Sequence, residues 1–164
     1  MVALERVTAE NVEAFKRVRL RALAEAPSAF GSTYAREIQF TDDEWLARVA
    51  RWDGESGLGF LAVKDGEACG IAGVFLDLKD GKGAHLVSMW TDPAHRQKGV
   101  GRLLVEAVGD WARVRGARRL QLMVTSKNEG AIRFYERLGF AMTGRTEPYP
   151  NDAALIEFEM TKGI

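Results

Sequence analysis

The sequence lacks most of the features that mark secreted, membrane-spanning and nucleic-acid-binding proteins. Its single cysteine, Cys69, cannot form an internal disulfide bond. Its 23 basic and 23 acidic side chains balance, whereas a nucleic-acid-binding domain usually carries a basic excess. No apolar run approaches the roughly 20 residues of a membrane-spanning helix, and nothing near Met1 resembles a signal peptide. We therefore expect a cytoplasmic protein that binds neither nucleic acid nor a membrane.

Several familiar motifs for metals and nucleotides are also missing. Cysteine, histidine and carboxylate residues do not cluster at metal-ligand spacing, so we expect no metal. The P-loop pattern G-x-x-x-x-G-K-[ST] is absent, and the dinucleotide fingerprint G-x-G-x-x-G would need a glycine where Leu104 stands. Cys69 lies in an apolar, strand-like run, which favours a small buried hydrophobe over a nucleophile.

The apolar pattern of the chain predicts an α/β fold. At 164 residues the chain is long enough for one domain with a sizeable core, and we expect a single domain over residues 1–164. Alternating and helically spaced apolar residues give the order βααβββαβαββ, which indicates a mixed, mostly antiparallel sheet of about seven strands flanked by four helices. The predicted strands are 2–7, 58–64, 67–78, 85–91, 120–124, 141–145 and 154–161, and the predicted helices are 8–25, 41–51, 99–114 and 128–138.

The turns follow from glycine, proline and aspartate. Asp65-Gly66 is a strong two-residue hairpin signal, and residues 80–83 mark the next turn of an antiparallel meander. Residues 27–34 and 147–152 are predicted to be loops. The strand–helix–strand order over residues 85–124 predicts one parallel strand pair.

Thr91 to Leu104 carries the clearest chemical signal. Pro93 ends a buried strand, and Arg96 to Gly101 form a basic turn that opens an amphipathic helix. Two glycines leave backbone N–H groups uncovered at the positive end of that helix, an arrangement that binds phosphate oxygens. An ordinary strand-to-helix turn with solvated basic side chains would show the same pattern, so this segment alone leaves both interpretations open.

Two segments together resemble a known family. Arg96-Gln-Lys-Gly-Val-Gly101 resembles the R/Q-x-x-G-x-G/A pyrophosphate loop of the GNAT superfamily of acyl-CoA-dependent N-acetyltransferases. Asn128 to Phe140 resembles the N-x-x-A-x-x-x-Y-x-x-x-G-F element of the same family. The segments occur in the family's order, joined by a helix and a strand. The resemblance covers residues 85–145 well and the remainder only by layout.

The resemblance implies the GNAT fold and a reaction. It implies an enzyme that transfers acetyl from the cosubstrate acetyl-CoA to a primary amine, by direct attack in a ternary complex. The main chain of the fourth strand would align the pantetheine arm and polarise the thioester, and Tyr135 would protonate the leaving thiolate. The implied cofactor-binding residues are Met89, Trp90, Thr91, Arg96, Gln97, Lys98, Gly99, Val100, Gly101, Arg102, Asn128 and Tyr135.

The acceptor side remains open. His85, Glu37, Glu157 or a chain of waters could act as the general base, while His95 lies in the phosphate loop. The resemblance implies three candidate residues for the wall of the acceptor cleft: Phe30, Tyr34 and Glu37. A small-molecule amine is favoured over a protein N-terminus or a lysine side chain. A CoA-binding regulatory module without turnover is the main alternative, and a homodimer through the C-terminal strands is permitted.

Overall fold

The strands and helices follow the predicted order closely. A computed structural model of the chain describes residues 1–77, 79 and 83–164. Seven strands form one sheet: β1 Ala3–Arg6, β2 Gly57–Lys64, β3 Glu67–Asp77, β4 Gly83–Thr91, β5 Arg119–Thr125, β6 Ala141–Tyr149 and β7 Asp152–Gly163. The α-helices of the described residues are α1 Val12–Glu25, α2 Tyr34–Glu37, α3 Asp42–Ala50, α4 Val100–Val114 and α5 Glu129–Arg137. Short 3₁₀ turns precede α1 and α2 and follow β4.

The sheet is mixed, as the sequence predicts. Its strand order is β1-β2-β3-β4-β5-β7-β6. Strands β1 to β4 pair antiparallel, and the Asp65-Gly66 turn between β2 and β3 has both residues at positive φ, as a two-residue hairpin requires. Strand β5 pairs parallel with β4 because α4 crosses between them, and β7 returns antiparallel beside β5.

Two hydrophobic cores cover the two faces of the sheet. Helices α4 and α5 pack on one face, where Leu104, Val108 and Tyr135 meet strand residues such as Leu120 and Leu122. Helices α1 and α3 pack on the other face through a cluster of large side chains. That cluster includes Phe15, Leu23, Trp45, Trp52, Leu61 and Ile71. The prediction of helices on both sides is therefore confirmed.

The structure corrects the sequence interpretation at two places. A fifth helix, the single turn α2, lies beyond the predicted loop 27–34; Thr33 caps it by accepting a hydrogen bond from the Arg36 amide. Strand β6 continues through Tyr149, so most of the predicted loop 147–152 is strand. Pro148 is tolerated there because β6 is the edge strand of the sheet. Of the predicted turn 80–83, residues 80–82 lie outside the described residues, as does Leu78 at the end of the third predicted strand.

Candidate functional site

A cleft opens in the middle of the sheet, where its one parallel strand pair separates. The register of β4 with β5 runs only from Gly83 opposite Arg119 to His85 opposite Gln121. Beyond this point β4 stays paired with β3, and β5 stays paired with β7. The facing edges of β4 and β5 therefore diverge. The space between them is lined by residues 86–89, residues 122–125, Asn128, Ala131, Tyr135 and Glu157, with Ser28 and Ala29 beside them.

A β-bulge shapes the β4 edge of this cleft. Gly73 pairs with Val87 and Ile71 pairs with Trp90, so two residues of β4 stand where β3 has one. Ser88 lies in the bulge at φ +56°, a left-handed conformation that few non-glycine residues adopt within a strand. A bulge of this kind turns main-chain groups out of the ladder. Ser88 and Met89 both line the cleft, so the bulged segment of β4 borders it.

The N-terminus of α4 forms a cradle of free amides. Gln97 and Gly99 are both left-handed, at φ +62° and +86°, and flank Lys98. The first backbone hydrogen bond into the helix comes from the Leu103 amide to the Gly99 carbonyl. Within the described residues, the amides from Gln97 to Arg102 donate to no carbonyl. Turns of this kind at a helix N-terminus are anion-binding concavities.

Close packing explains the second glycine of the loop. A Cβ on Gly101 would lie 2.9 Å from Phe134 Cζ and 3.3 Å from Met89 Cε, so this position joins α4 to both α5 and β4. A Cβ on Gly99 would meet no atom within 4 Å, so Gly99 is required by its φ rather than by space. The two glycines therefore serve different purposes.

The basic side chains of the loop are less available to bind an anion than the sequence suggests. Arg96 donates from Nε to the Thr91 carbonyl at 3.0 Å and from Nη2 to Glu25 at 2.8 Å. Trp90 donates its indole N–H to the same carboxylate oxygen at 2.8 Å. Arg96 thus fixes the loop to α1. Lys98 lies beside a second, separate cleft, and Arg102 is exposed on α4, 4.0 Å from Glu106.

Tyr135 and Asn128 lie on the α5 side of the cleft. Tyr135 is 8% exposed, and its ring packs edge-on against Phe134 and Phe140. Burial raises the pKa of Tyr135 above its ordinary value, so the phenol is protonated throughout the physiological pH range. The side chain of Asn128 accepts a hydrogen bond from the Ala131 amide and caps α5. Both residues line the cleft, and the resemblance implies that both bind the cofactor.

An acidic side chain lines the cleft on the opposite face of the sheet. Glu157 alternates along β7 with Phe158, which packs on the α4–α5 core, so Glu157 lies on the α1–α3 face. It stands opposite Thr125 on β5 and opposite Glu147 on β6. Burial and the neighbouring charge of Glu147 raise the pKa of Glu157 above its ordinary value. The cleft therefore passes from Tyr135 on one face to Glu157 on the other.

The candidate base His85 and the phosphate-loop residue His95 both lie away from this cleft. His85 is at the closed end, where β4 and β5 are still paired, and it contacts Gln121 and Asp77. His95 lines the second cleft, beside Lys98, and its buried Nδ1 has no hydrogen-bond partner among the described residues. Neither imidazole belongs to the residues that line the cleft between β4 and β5.

Glu37 is an anchor rather than a free carboxylate. It is 1% exposed and accepts two hydrogen bonds from Arg19, each 3.0 Å long, and one from Arg48 at 2.5 Å. Burial alone would raise the pKa of Glu37, but the hydrogen bonds and charge of Arg19, with the charge of Arg48, outweigh burial and lower it. Arg19 also donates to Ser88 Oγ at 3.2 Å, so this buried ion cluster reaches the bulge.

The remaining wall of the cleft is held by hydrogen bonds between two loops. Tyr149 donates its hydroxyl to the carbonyls of Pro27 and Phe30, and Asn151 donates its amide to the carbonyls of Phe30 and Ser32. Phe30 itself is buried beneath the Arg19 guanidinium, 4.6 Å from its ring centroid, whereas Tyr34 is exposed. The β6–β7 turn therefore fastens the segment before α2.

Sequence reasoning missed the bulge at Ser88, the cluster around Glu37 and the loop contacts of Tyr149. No local pattern marks them, because each depends on residues far apart in the chain. Within residues 1–77, 79 and 83–164, no group of three or more His, Cys, Asp or Glu is placed to hold a metal ion. In the same residues, no helix has the length and apolar character needed to cross a membrane.

Comparison with known proteins identifies the family that shares this architecture. A sequence model of the acetyltransferase (GNAT) family matches residues 20–140. Streptothricin acetyltransferase of Streptomyces lavendulae is 41% identical over 86 residues, which make up 52% of this chain and 45% of that protein. The match thus spans less than half the length of that relative.

Solved structures show the same fold over the full chain. The acetyltransferase of the GNAT family from Streptococcus pneumoniae has a TM-score of 0.81 at 20% identity and is covered completely, as is this chain. The PaiA N-acetyltransferase from Thermoplasma acidophilum, solved with coenzyme A, has a TM-score of 0.77 at 16% identity over 100% of this chain and 99% of that one. The family match covers most of the chain, including the amide cradle and Tyr135, and this protein therefore belongs to the acetyltransferase (GNAT) family.

Proposed function

We propose that this protein is an N-acetyltransferase that moves the acetyl group of acetyl-CoA to a primary amine by direct attack in a ternary complex. The observation that carries the proposal is the cleft through the sheet between β4 and β5. The cleft connects the face of the sheet on which α4 and α5 pack, where the amide cradle lies, to the face that carries Glu157. A cosubstrate and an acceptor can therefore approach the same point from opposite faces.

The donor side suits a CoA thioester. The free amides of residues 97–102 fit a pyrophosphate, and the coenzyme A bound to the Thermoplasma relative supports this ligand. The unpaired edge of β4 offers main-chain groups to the pantetheine amides. Backbone amides beside the Ser88 bulge would donate to the thioester carbonyl, where negative charge develops as the amine attacks.

Tyr135 is the proposed hydrogen-bond donor to the leaving sulfur. A thiol has a pKa of about 8.5 and a phenol of about 10 in water, so the proton is nearly shared between them. Because burial raises the pKa of Tyr135, the phenol remains a donor and full transfer of its proton is disfavoured. Tyr135 would therefore stabilise the thiolate mainly by a hydrogen bond until a proton arrives.

The acceptor is proposed to be a small-molecule amine. The wall formed by the 27–33 segment and the β6–β7 turn is closed by hydrogen bonds, which favours a compact acceptor over a protein chain. The partial likeness to a streptothricin acetyltransferase supports the same class. Exposed Met142 and Ile156 on β6 and β7, beside the open sheet edge, support a homodimer through these strands.

Thiol release from acetyl-CoA tests the proposal directly. Purified protein would be mixed with acetyl-CoA and a panel of small primary amines, lysine peptides and peptides with free N-termini, with product masses measured. We expect mass gains of one acetyl group on a small amine. Acetylation of the peptides alone would move the acceptor class to proteins. Binding of acetyl-CoA without acetyl transfer to any amine would indicate a regulatory module instead.

A further inference from the structure

Glu157 is placed to meet an acceptor on the face opposite Tyr135. It is half-buried, lines the cleft between β4 and β5, and lies opposite Thr125 on β5. The Thr125 hydroxyl donates a hydrogen bond to the Ser28 carbonyl. The residues on either side of Glu157, Ile156 and Phe158, point to the other face. Glu157 is therefore the carboxylate of β7 that faces into the cleft.

We propose that Glu157 is the general base, taking a proton from the ammonium form of the acceptor amine, and that Glu147 tunes it. The inference rests on the proposed function and adds the identity of the catalytic base. The other candidate carboxylate, Glu37, accepts three hydrogen bonds from arginines. Both of its oxygens are therefore already engaged and are not available to an amine proton.

The charges around Glu157 suit a proton acceptor. Within the described part of the chain, no lysine or arginine lies within ion-pairing distance of it. Arg145, on the same face, is bound to Glu147 at 3.0 Å and lies 3.7 Å from Glu159. Arg19, near Ser88, is bound to Glu37 by two hydrogen bonds.

Like charges directly opposite on neighbouring strands repel each other. Glu147 is the register partner of Glu157, and burial together with the charge of Glu147 raises the pKa of Glu157 above its ordinary value. A carboxylate tuned in this direction is a better base toward an ammonium group than an ordinary exposed one. The effect of Glu147 is therefore on the basicity of Glu157 rather than on the substrate.

The step balances as follows. Glu157 takes one proton from R–NH₃⁺, which leaves a neutral amine with a free electron pair. That pair forms the C–N bond at the thioester carbonyl, and the C–S bond breaks with its electrons on sulfur. The second proton lost from nitrogen reaches the sulfur through water, while Tyr135 stabilises the thiolate by a hydrogen bond and keeps its own proton. Glu157 then releases its proton to water, so each turnover yields the amide, the thiol and one proton.

Steady-state kinetics of the wild type and Glu157→Gln test the inference, with tyramine, spermidine and Nα-acetyl-lysine amide as probe amines from pH 6 to 10. We expect kcat/KM of the variant to fall about 100-fold or more at pH 7, within the range of general-base catalysis. The KM for acetyl-CoA should stay within twofold. The deficit should narrow about tenfold per pH unit as solvent deprotonates the amine.

Two further variants separate catalysis from structure. Glu159→Gln, two residues along the same strand and face, should leave kcat/KM within twofold. Glu147→Gln removes a like charge, which lowers the pKa of Glu157, so the acid limb of the pH–rate profile should move to lower pH while the maximal rate changes little.

Each outcome decides a specific claim. A Glu157→Gln enzyme with the wild-type rate and pH profile overturns Glu157 as base and leaves the proposed function intact. An unmoved acid limb in Glu147→Gln overturns the tuning by Glu147. A wild type that binds acetyl-CoA but acetylates none of the three amines overturns the proposed function, and this inference with it.

Discussion

At the scale of single residues, the proposed donor site is built from main chain held in uncommon conformations. Gln97, Gly99 and Ser88 all have left-handed φ values, and two of them are not glycine. For the two non-glycine residues such conformations cost roughly 1–3 kcal/mol each and persist where surrounding contacts impose them. Two of these residues lie at the N-terminus of α4, and Ser88 lines the cleft. Side-chain charge is secondary, because Arg96 is already bound to Glu25 and Thr91.

Gly99→Asp should weaken CoA binding without unfolding the protein. The new side chain would place negative charge among the amides proposed to hold the pyrophosphate, so we expect the dissociation constant for CoA to rise at least tenfold, or about 1.4 kcal/mol. Titration calorimetry would measure it. Gly116→Asp is the matched control, because Gly116 has φ +90° and open space at the other end of α4. Equal affinity for CoA in both variants would show that the amide cradle does not bind the pyrophosphate.

Tyr135→Phe should reduce turnover while acetyl-CoA still binds. The phenol hydroxyl is the only group removed, so packing against Phe134 and Phe140 is retained and the melting temperature should change little. Loss of one stabilising donor at a developing charge typically costs about 100- to 1,000-fold in kcat. A variant with wild-type kcat would show that solvent or another group protonates the sulfur.

At the scale of elements, the acceptor side is assembled by contacts distant in sequence. Helix α2 is a single turn with little stability of its own. It is held because Glu37 binds Arg19 of α1 and Arg48 of α3, and Arg19 in turn reaches Ser88 of β4. One buried carboxylate therefore connects three helices to the bulged strand.

Glu37→Gln should destabilise the fold strongly. Removing one partner of a buried ion cluster leaves uncompensated charge and costs about 3–5 kcal/mol. We expect the lower end of this range, because Arg48 is partly exposed and so partly screened. Urea unfolding would measure the loss, and Glu13→Gln on the exposed first turn of α1 should shift stability by less than about 0.5 kcal/mol. Equal effects would show that the cluster adds no stability.

The pH dependence of stability should reflect the same carboxylate. The pKa of Glu37 is lowered in the folded protein, so its stabilising contribution is complete above its ordinary value and is lost as pH falls through the lowered value. The wild type should therefore lose stability with acidification more steeply than Glu37→Gln. Parallel acid dependence of the two proteins in urea unfolding would contradict this assignment.

The elements that the sequence predicts well are those with strong local signals. Helical spacing and Asp65-Gly66 placed most of the fold, and the two resembling segments brought the cradle and Tyr135 together. Sequence could not locate α2, because one helical turn has no periodicity. The sequence could not decide between Glu157 and Glu37 as the proposed base either. The ion pairs of Glu37 with two arginines and the repulsion between Glu157 and Glu147 both depend on tertiary pairing.

At the scale of the whole molecule, the sheet separates two faces, which the cleft between β4 and β5 connects. Two separate cores cover its faces, and the parallel pair β4–β5 parts after three residue pairs. The donor's amide cradle begins α4, while the proposed acceptor base lies on the opposite face. The crossover that makes β4 and β5 parallel thus also creates the site, because α4 starts where β4 ends.

Thermal unfolding with acetyl-CoA, CoA, ATP and NAD in parallel tests the central claim most directly. A ligand at 100 times its dissociation constant adds about 2.7 kcal/mol to folding stability. At roughly 2–4 °C per kcal/mol for a chain of this size, acetyl-CoA and CoA should raise the melting temperature by about 5–10 °C. ATP and NAD should raise it far less, and Gly99→Asp should reduce the acetyl-CoA shift by at least about half. Equal shifts with all four ligands, or none with acetyl-CoA, would contradict the account.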